Sequence, residues 1–310
     1  MLDVLLIIAP VFLAIAIGYG AAKAGALGRE AAQGLGVFVL TLAMPALIVK
    51  ALGRNPLAEV VDLRYLAAYG GGSAVVFGLG FALSRVGLKR SWQASALAAL
   101  GMATANSGFI GYPIAAVVIG PPAVIGLALC MLVENLLVIP AALALAEAGT
   151  QNGATARAVA KASAARLIRN PLMLAILAGV VLSAFRIELP GPIAKTIDLF
   201  ATASAPAALV AIGASLVGLN ARGSGADAVQ IAAGKLLLHP LAVFLAFRLV
   251  GPPDPALKAT GVIMASMPMV SIYPLLGQRY GLGDVCAAAL MIATILAVAT
   301  TTVVIWLVTP

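Results

Sequence analysis

The sequence predicts an all-α integral membrane protein of ten transmembrane helices, arranged as two inverted five-helix repeats with breaks in the fourth and ninth. The 310 residues are 63% hydrophobic and only 10% charged, with a mean hydropathy of +1.11, beyond the range of ordinary water-soluble domains. Apolar stretches of about 20 residues recur from end to end, the length of membrane helices and too long for barrel strands. One gapless shift of 161 residues lays the second half over the first and matches residues that seldom match by chance.

In chain order the spans are predicted at 2–22, 33–52, 65–84, 94–120, 122–146, 167–185, 193–218, 227–250, 257–280 and 285–308. The first, "MLDVLLIIAPVFLAIAIGYGAAKAG", carries Asp3 and no basic flank, so it reads as a span and not as a cleaved signal. The longest loop, "EAGTQNGATARAVAKASAARLIRN", follows the fifth span. It divides the chain into a first repeat (1–147), a cytoplasmic linker (148–165) and a second repeat (166–310). Its segment "ARAVAKASAARLIRN" reads as a basic amphipathic helix lying on the membrane surface.

The 161-residue shift pairs Pro10 with Pro171, Gly18 with Gly179, Thr41 with Thr202, Pro45 with Pro206, Tyr112 with Tyr273, Pro113 with Pro274, and Gly120 with Gly281. Shared Ala and Leu would be expected of any two apolar halves, but matched Pro and Gly fix specific backbone behaviour. Each copy has five spans, and an odd number sends the second through the membrane in the opposite sense.

With the N-terminus outside, the inner loops hold eleven basic residues: Lys23, Arg29, Arg85, Lys89, Arg90, Arg157, Lys161, Arg166, Arg169, Arg222 and Arg279. The outer loops hold seven, Lys50, Arg54, Arg64, Arg186, Lys195, Arg248 and Lys258, so both termini are placed outside. The net charge of +8 is scattered singly and aromatic residues are 5% of the chain, which points to lipid headgroups and away from nucleic acid. Trp92 and Trp306, near span ends, read as interfacial anchors. Cys130 and Cys286 lie inside spans and read as packing residues.

The fourth span, "ATANSGFIGYPIAAVVIG", carries Asn106, Ser107, Gly108, Gly111, Tyr112 and Pro113 where lipid would demand a plain helix. Proline lacks a donor and glycine permits non-helical dihedrals, so the ladder should fail between about 105 and 113. The ninth span, "MASMPMVSIYPLLGQRYG", repeats the pattern with Ser266, Met267, Pro268, Ser271, Tyr273 and Pro274. Unsatisfied backbone groups in hydrocarbon cost several kcal/mol each, so such stretches survive only against protein or a watery cavity. Two breaks at matching depth, in oppositely directed helices, would meet near the midplane, where half-helix dipoles and freed amides can receive an anion. Pro45 and Pro206, as single prolines, read as tolerated kinks.

Charges at membrane depth are functional candidates. Glu134 is either a proton or sodium acceptor that couples transport, or a structural partner of freed amides. Asn135 is a side-chain ligand or a helix-packing hydrogen bond. Lys235 attracts an anion, neutralises Asp198 or snorkels to an interface, the last two being favoured. His239, followed by Pro240, is a local hydrogen-bonding feature or a proton relay. Asp198 is interfacial. No nucleophile elbow, phosphate-binding loop or Cys/His metal spacing is present, so neither an enzyme nor a nucleotide-driven pump is expected. No cofactor is expected, and sodium or a proton is the candidate coupling ion.

On the run Asn-Ser-Gly-Phe-x-Gly-x-Pro from Asn106 to Pro113, on "MPMVSIYP", and on the ten-span layout, nearly the whole chain resembles the auxin efflux carrier family, including bacterial members described as malonate or malate transporters. The resemblance implies a fold like that of bile-acid/sodium symporters, with a scaffold part, a transport part and crossed fourth and ninth spans. It also implies that Asn106 and the Pro113/Pro274 crossing contact a substrate carboxylate, and that the chain forms a homodimer. The long cytoplasmic loop of the plant carriers is reduced here to about two dozen residues, so its regulation does not carry over. The expected function is a secondary transporter of small organic anions in a bacterial inner membrane, working by an elevator-like or rocking motion. The rivals are a cation/proton antiporter of similar architecture, and a receptor or channel.

Overall fold

The computed structural model describes residues 2–149, 161, 164–165, 167–217, 225–251 and 254–309, and among them all regular structure is helical. Apart from the single turn Leu57–Val60, the helices before the linker are α1 (Leu2–Lys23), α2 (Arg29–Arg54), α3 (Leu63–Gly87), α4 (Trp92–Ala103), α5 (Tyr112–Val118) and α6 (Pro122–Ala148). After the linker come α7 (Pro171–Phe185), α8 (Gly191–Ser215), α9 (Gly225–Val250), α10 (Pro255–Ser266), α11 (Tyr273–Gln278) and α12 (Gly283–Val308). Seven of them, α1, α2, α3, α6, α8, α9 and α12, are long and apolar enough to cross a membrane. The molecule is an integral membrane protein. Part of the amphipathic segment of the linker, including Arg157 and Arg166, lies outside the described residues, as does Arg222.

Polar caps mark several helix starts. The side chains of Asp62, Ser91, Asn170 and Asp254 each accept a backbone N–H from the first turn of α3, α4, α7 and α10. Asn170 corrects the predicted start of the sixth span at 167: α7 begins at Pro171, because the residue before a proline is pushed out of helical geometry and here becomes the cap.

Proline shapes the helix interiors. At Val39–Ala43, Ser107–Gly111, Glu134–Val138 and Gly234–Leu238 the helix widens to a π turn, and two residues beyond each stands a proline: Pro45, Pro113, Pro140 and Pro240. A proline ring presses on the carbonyl four residues earlier and supplies no donor, and an extra residue in the preceding turn relieves both problems. Each bulge rotates the helix face that follows. Glu134 and Lys235 both sit at such bulges.

The helices pack most extensively in two groups. One joins α1 to α8 and α7 to α2. The other joins α3 to α9 and gathers α4, α6, α10 and α12 around them. Glycines permit the closest approaches: a Cβ on Gly213 of α8 would strike the backbone of Ile15 in α1, one on Gly18 of α1 the backbone of Val210, and one on Gly179 of α7 the Leu52 side chain. The Ser107–Gly111 turn and α5 lie where the groups meet, against α8 and α1.

Candidate functional site

Two breaks form the site. The chain leaves α4 in extended conformation at Thr104 (φ −109°, ψ 153°), and Asn106 then caps the π turn, its side-chain oxygen accepting the Phe109 N–H at 3.3 Å. The second break opens at Met267 (φ −69°, ψ 157°) after α10. The breaks touch through Asn106: its backbone N–H donates to the Pro268 carbonyl at 2.7 Å, and its Nδ2 donates to Ser271 Oγ at 2.8 Å. The regular α-helical ladder is absent from Thr104 to Gly111, close to the expected 105–113: three non-helical residues are followed by the π turn that the Asn106 side chain caps.

Beside the first break lies Glu134 of α6, 3% exposed. Its Oε1 accepts the freed Ala105 N–H at 2.7 Å and the Tyr69 hydroxyl at 3.4 Å; its Oε2 accepts the Ser107 hydroxyl at 3.4 Å. The Cys130 thiol lies 3.6 Å from Oε1. The amide that the break frees is therefore bound by the protein's own carboxylate. A buried carboxylate loses several kcal/mol of hydration, and charge-assisted hydrogen bonds of this kind, about 1.5–3 kcal/mol each, offset part of that loss.

Beside the second break lies Lys235 of α9, fully buried. Its Nζ donates to the Ala265 carbonyl in the last turn of α10 at 3.0 Å and contacts His239 Nδ1 at 2.5 Å, while His239 Nε2 lies 2.9 Å from Ser73 Oγ. With Lys235 as an ammonium, which cannot accept, Nδ1 is the lone-pair nitrogen and the Nε2–H donates to Ser73. The Tyr69 ring stands edge-on to the His239 imidazole, 5.8 Å between centroids, and its hydroxyl reaches Glu134. An acid thus holds the open amide end of one break, a base holds the open carbonyl end of the other, and Tyr69 touches both sets.

These positions correct the favoured reading of Lys235. It neither snorkels nor pairs with Asp198, because the bulge at Gly234–Leu238 turns it inward toward α10. Asp198 is instead held by Lys50 at 2.9 Å and Arg54 at 3.2 Å. Asn135 points away from the Glu134 carboxylate: its Nδ2 donates to Met131 O and its Oδ1 accepts from Asn170 at 3.4 Å.

The remaining candidates divide. Gly108 and Gly111 are close-approach points, where a Cβ would meet Met44 and Met131, or Met264 and Met267. Pro113 is buried in α5, and Tyr112 packs toward Leu47, Val124 and Ala201 at the junction of the two helix groups. Ser266 bonds Ile263 O of its own helix and lies 3.4 Å from Thr301 of α12. Tyr273 turns away from the crossing to donate to Leu97 O at 2.9 Å, and Pro274, half-buried, follows it in α11.

Sequence reasoning missed Tyr69 and Ser73, whose spacing of four along α3 in "YGGGS" was the available signal. It also missed Ser204 on α8, fully buried and with no hydrogen-bond partner among the described residues, on a helix packed against the Ser107–Gly111 turn. A cavity of about 880 Å³ lies elsewhere, at the ends of α2, α7 and α8, and is lined in part by Lys50, Arg54 and Arg186.

A family model described as "Membrane transport protein" matches residues 3–305. A protein of Rhizobium meliloti (strain 1021) named "Putative malonate transporter" is 34% identical over 307 residues, covering 97% of this chain and 95% of that one. An "Uncharacterized transporter" of Methanothermobacter thermautotrophicus is 27% identical over 297 residues, covering 92% of each.

Proposed function

The chain belongs to this membrane transport protein family, that of the auxin efflux carriers, and from that premise we propose a secondary transporter that moves small organic anions by alternating access at the crossed breaks. The substrates in this reading are carboxylates such as malonate, malate or auxin-like acids. The observation that carries it is the junction of Asn106 with Pro268 and Ser271, where irregular backbone from two helices meets at one buried point. Asn106, Ser271, the half-helix starts and the Ser204 hydroxyl, without a partner among the described residues, supply polar groups for a carboxylate, while Ser107, Gly108, Gly111, Tyr112, Pro113 and Met267 shape the space around them.

In the same reading α4 with α5, and α10 with α11, each form one span, so that with α7 the chain crosses a bacterial inner membrane ten times. Residues 1–147 and 166–310 are then inverted repeats, with both termini outside and two chains forming a dimer. The packing supports this. Gly18 and Gly179 occupy matched repeat positions, and each receives the helix that the repeat makes equivalent, α8 in one case and α2 in the other.

Coupling follows from the buried acid and base. Carbonyl ends of broken helices are places where transporters hold sodium, and here the Lys235 ammonium stands on the Ala265 carbonyl. That favours the proton as coupling ion, with Glu134 as its acceptor and Tyr69, His239 and Ser73 as support. A cation/proton antiporter is the second reading, and the buried Glu134 is the observation that favours it.

Thermal melting of the detergent-purified protein with a panel of mono- and dicarboxylates and indole acids, with and without sodium and at two pH values, separates the readings. A stabilising carboxylate supports the anion carrier, because only ligands of the folded state raise stability. Stabilisation by sodium or pH alone, with no carboxylate active, supports the antiporter.

A further inference from the structure

We propose that the outer groove between α9 and α12 binds one anionic phospholipid, with its phosphate on Arg248 and Lys258 and an acyl chain along the groove. The groove has a volume of about 690 Å³ and is lined almost wholly by apolar side chains, among them Leu237, Leu241 and Phe244 of α9 and Val303, Val304 and Leu307 of α12. From Leu236 to Phe244 it runs about 12 Å along the helix, at 1.5 Å per residue. Apolar length alone would suit any lipid tail. Its end is what selects.

Phe244 is both a wall of the groove and a platform for two cations: the Arg248 guanidinium lies 5.6 Å and the Lys258 Nζ 5.1 Å from its ring centroid. Ring contacts hold such cations without neutralising them. Among the described residues neither cation has a carboxylate within salt-bridge distance. Asp254, the nearest acid in sequence to Lys258, is spent on the α10 cap, where its Oδ1 accepts the Ala256 and Leu257 amides. Trp306, 52% exposed and two residues from the end of α12, marks the same end of the groove as the headgroup level. Two uncompensated cations at headgroup level, joined by an aromatic ring to an apolar channel, match a phosphate attached to an acyl chain.

Native mass spectrometry of the full chain, released from micelles containing equal phosphatidylglycerol and phosphatidylcholine, tests this. The expected result is one phosphatidylglycerol retained per chain in preference to phosphatidylcholine. Retention should fall about fivefold for Arg248→Gln or Lys258→Gln and about thirtyfold for both together, at about 1 kcal/mol per surface cation. The pair Arg248→Lys with Lys258→Arg should retain it, and so shows that lost retention reflects charge and not misfolding. Val303→Trp, which fills the groove, should also lose the lipid with both cations in place. Equal retention of the two lipids, retention unchanged in the Gln pair or in Val303→Trp, or displacement by millimolar inorganic phosphate or glycerol phosphate would each overturn the proposal.

Discussion

Glu134 and Lys235 stand at the two ends of one problem, the backbone groups that a broken helix leaves open. Glu134 takes the Ala105 amide and Lys235 gives to the Ala265 carbonyl, and Tyr69 touches both sets through its hydroxyl and its ring. Removing either side chain's hydrogen-bonding group leaves a buried backbone group of a break without its partner, at about 1–3 kcal/mol for each, and Tyr69 links the two sets. Glu134→Gln and Lys235→Met should therefore each lower the melting temperature, and the double variant should lose less than the two losses added. Strict additivity in that cycle would show the two groups to be independent. For Glu134, freed amides of a broken helix were one of two readings of the sequence, and it accepts one at Ala105; the Ala265 carbonyl as the partner of Lys235 could not be read from the sequence. Both charges were visible at membrane depth, but the face each presents depends on a bulge, and one extra residue swings the helix face by about 100°.

The helices themselves were largely legible. Hydropathy placed their bounds within a few residues, and clustered Pro, Gly, Asn and Ser located the breaks at Asn106–Pro113 and Ser266–Pro274, because proline and glycine act on the backbone wherever they stand. The sequence could not tell which of these polar residues turn toward the crossing. Tyr273 turns away to Leu97 and Asn135 to Asn170, whereas Asn106 and Ser271 meet. Glycine usage is likewise decided only by the neighbour. Gly213→Ala would drive a methyl group onto the Ile15 backbone, which has no flexible end to move, and should cost about 1–3 kcal/mol by overpacking. Gly20→Ala, two residues beyond Gly18 on α1, meets nothing within 4 Å and should fall within about 0.5 kcal/mol of the parent. Chemical melting of the two variants checks the contrast, and equal losses would mean that α1 and α8 are not in close register.

At the scale of the molecule, the helices fall into two packed groups, with α5 and the Ser107–Gly111 turn at their junction. In the proposed mechanism one group moves past the other, and a bond across the junction should then stop transport. Tyr112 and Ala201 pack around Leu47 and Val124 at that boundary. Cysteines at both positions, cross-linked in a background where Cys130 and Cys286 are replaced, should abolish transport and leave folding intact; reduction should restore it. Unimpaired transport in the cross-linked protein would remove the rigid-group motion.

The proposed anion site at the crossing is tested most directly by counterflow of labelled malonate, malate or an indole acid in proteoliposomes, for the parent and for Asn106→Asp. The variant keeps an oxygen to cap Phe109 but sets a negative charge where a carboxylate would dock. Saturable, trans-stimulated uptake in the parent, lost in a variant that still purifies as a folded protein with a cooperative melt, is the expected result. Absence of carboxylate counterflow in the parent under any gradient, or equal counterflow in both proteins, would contradict an anion site at Asn106.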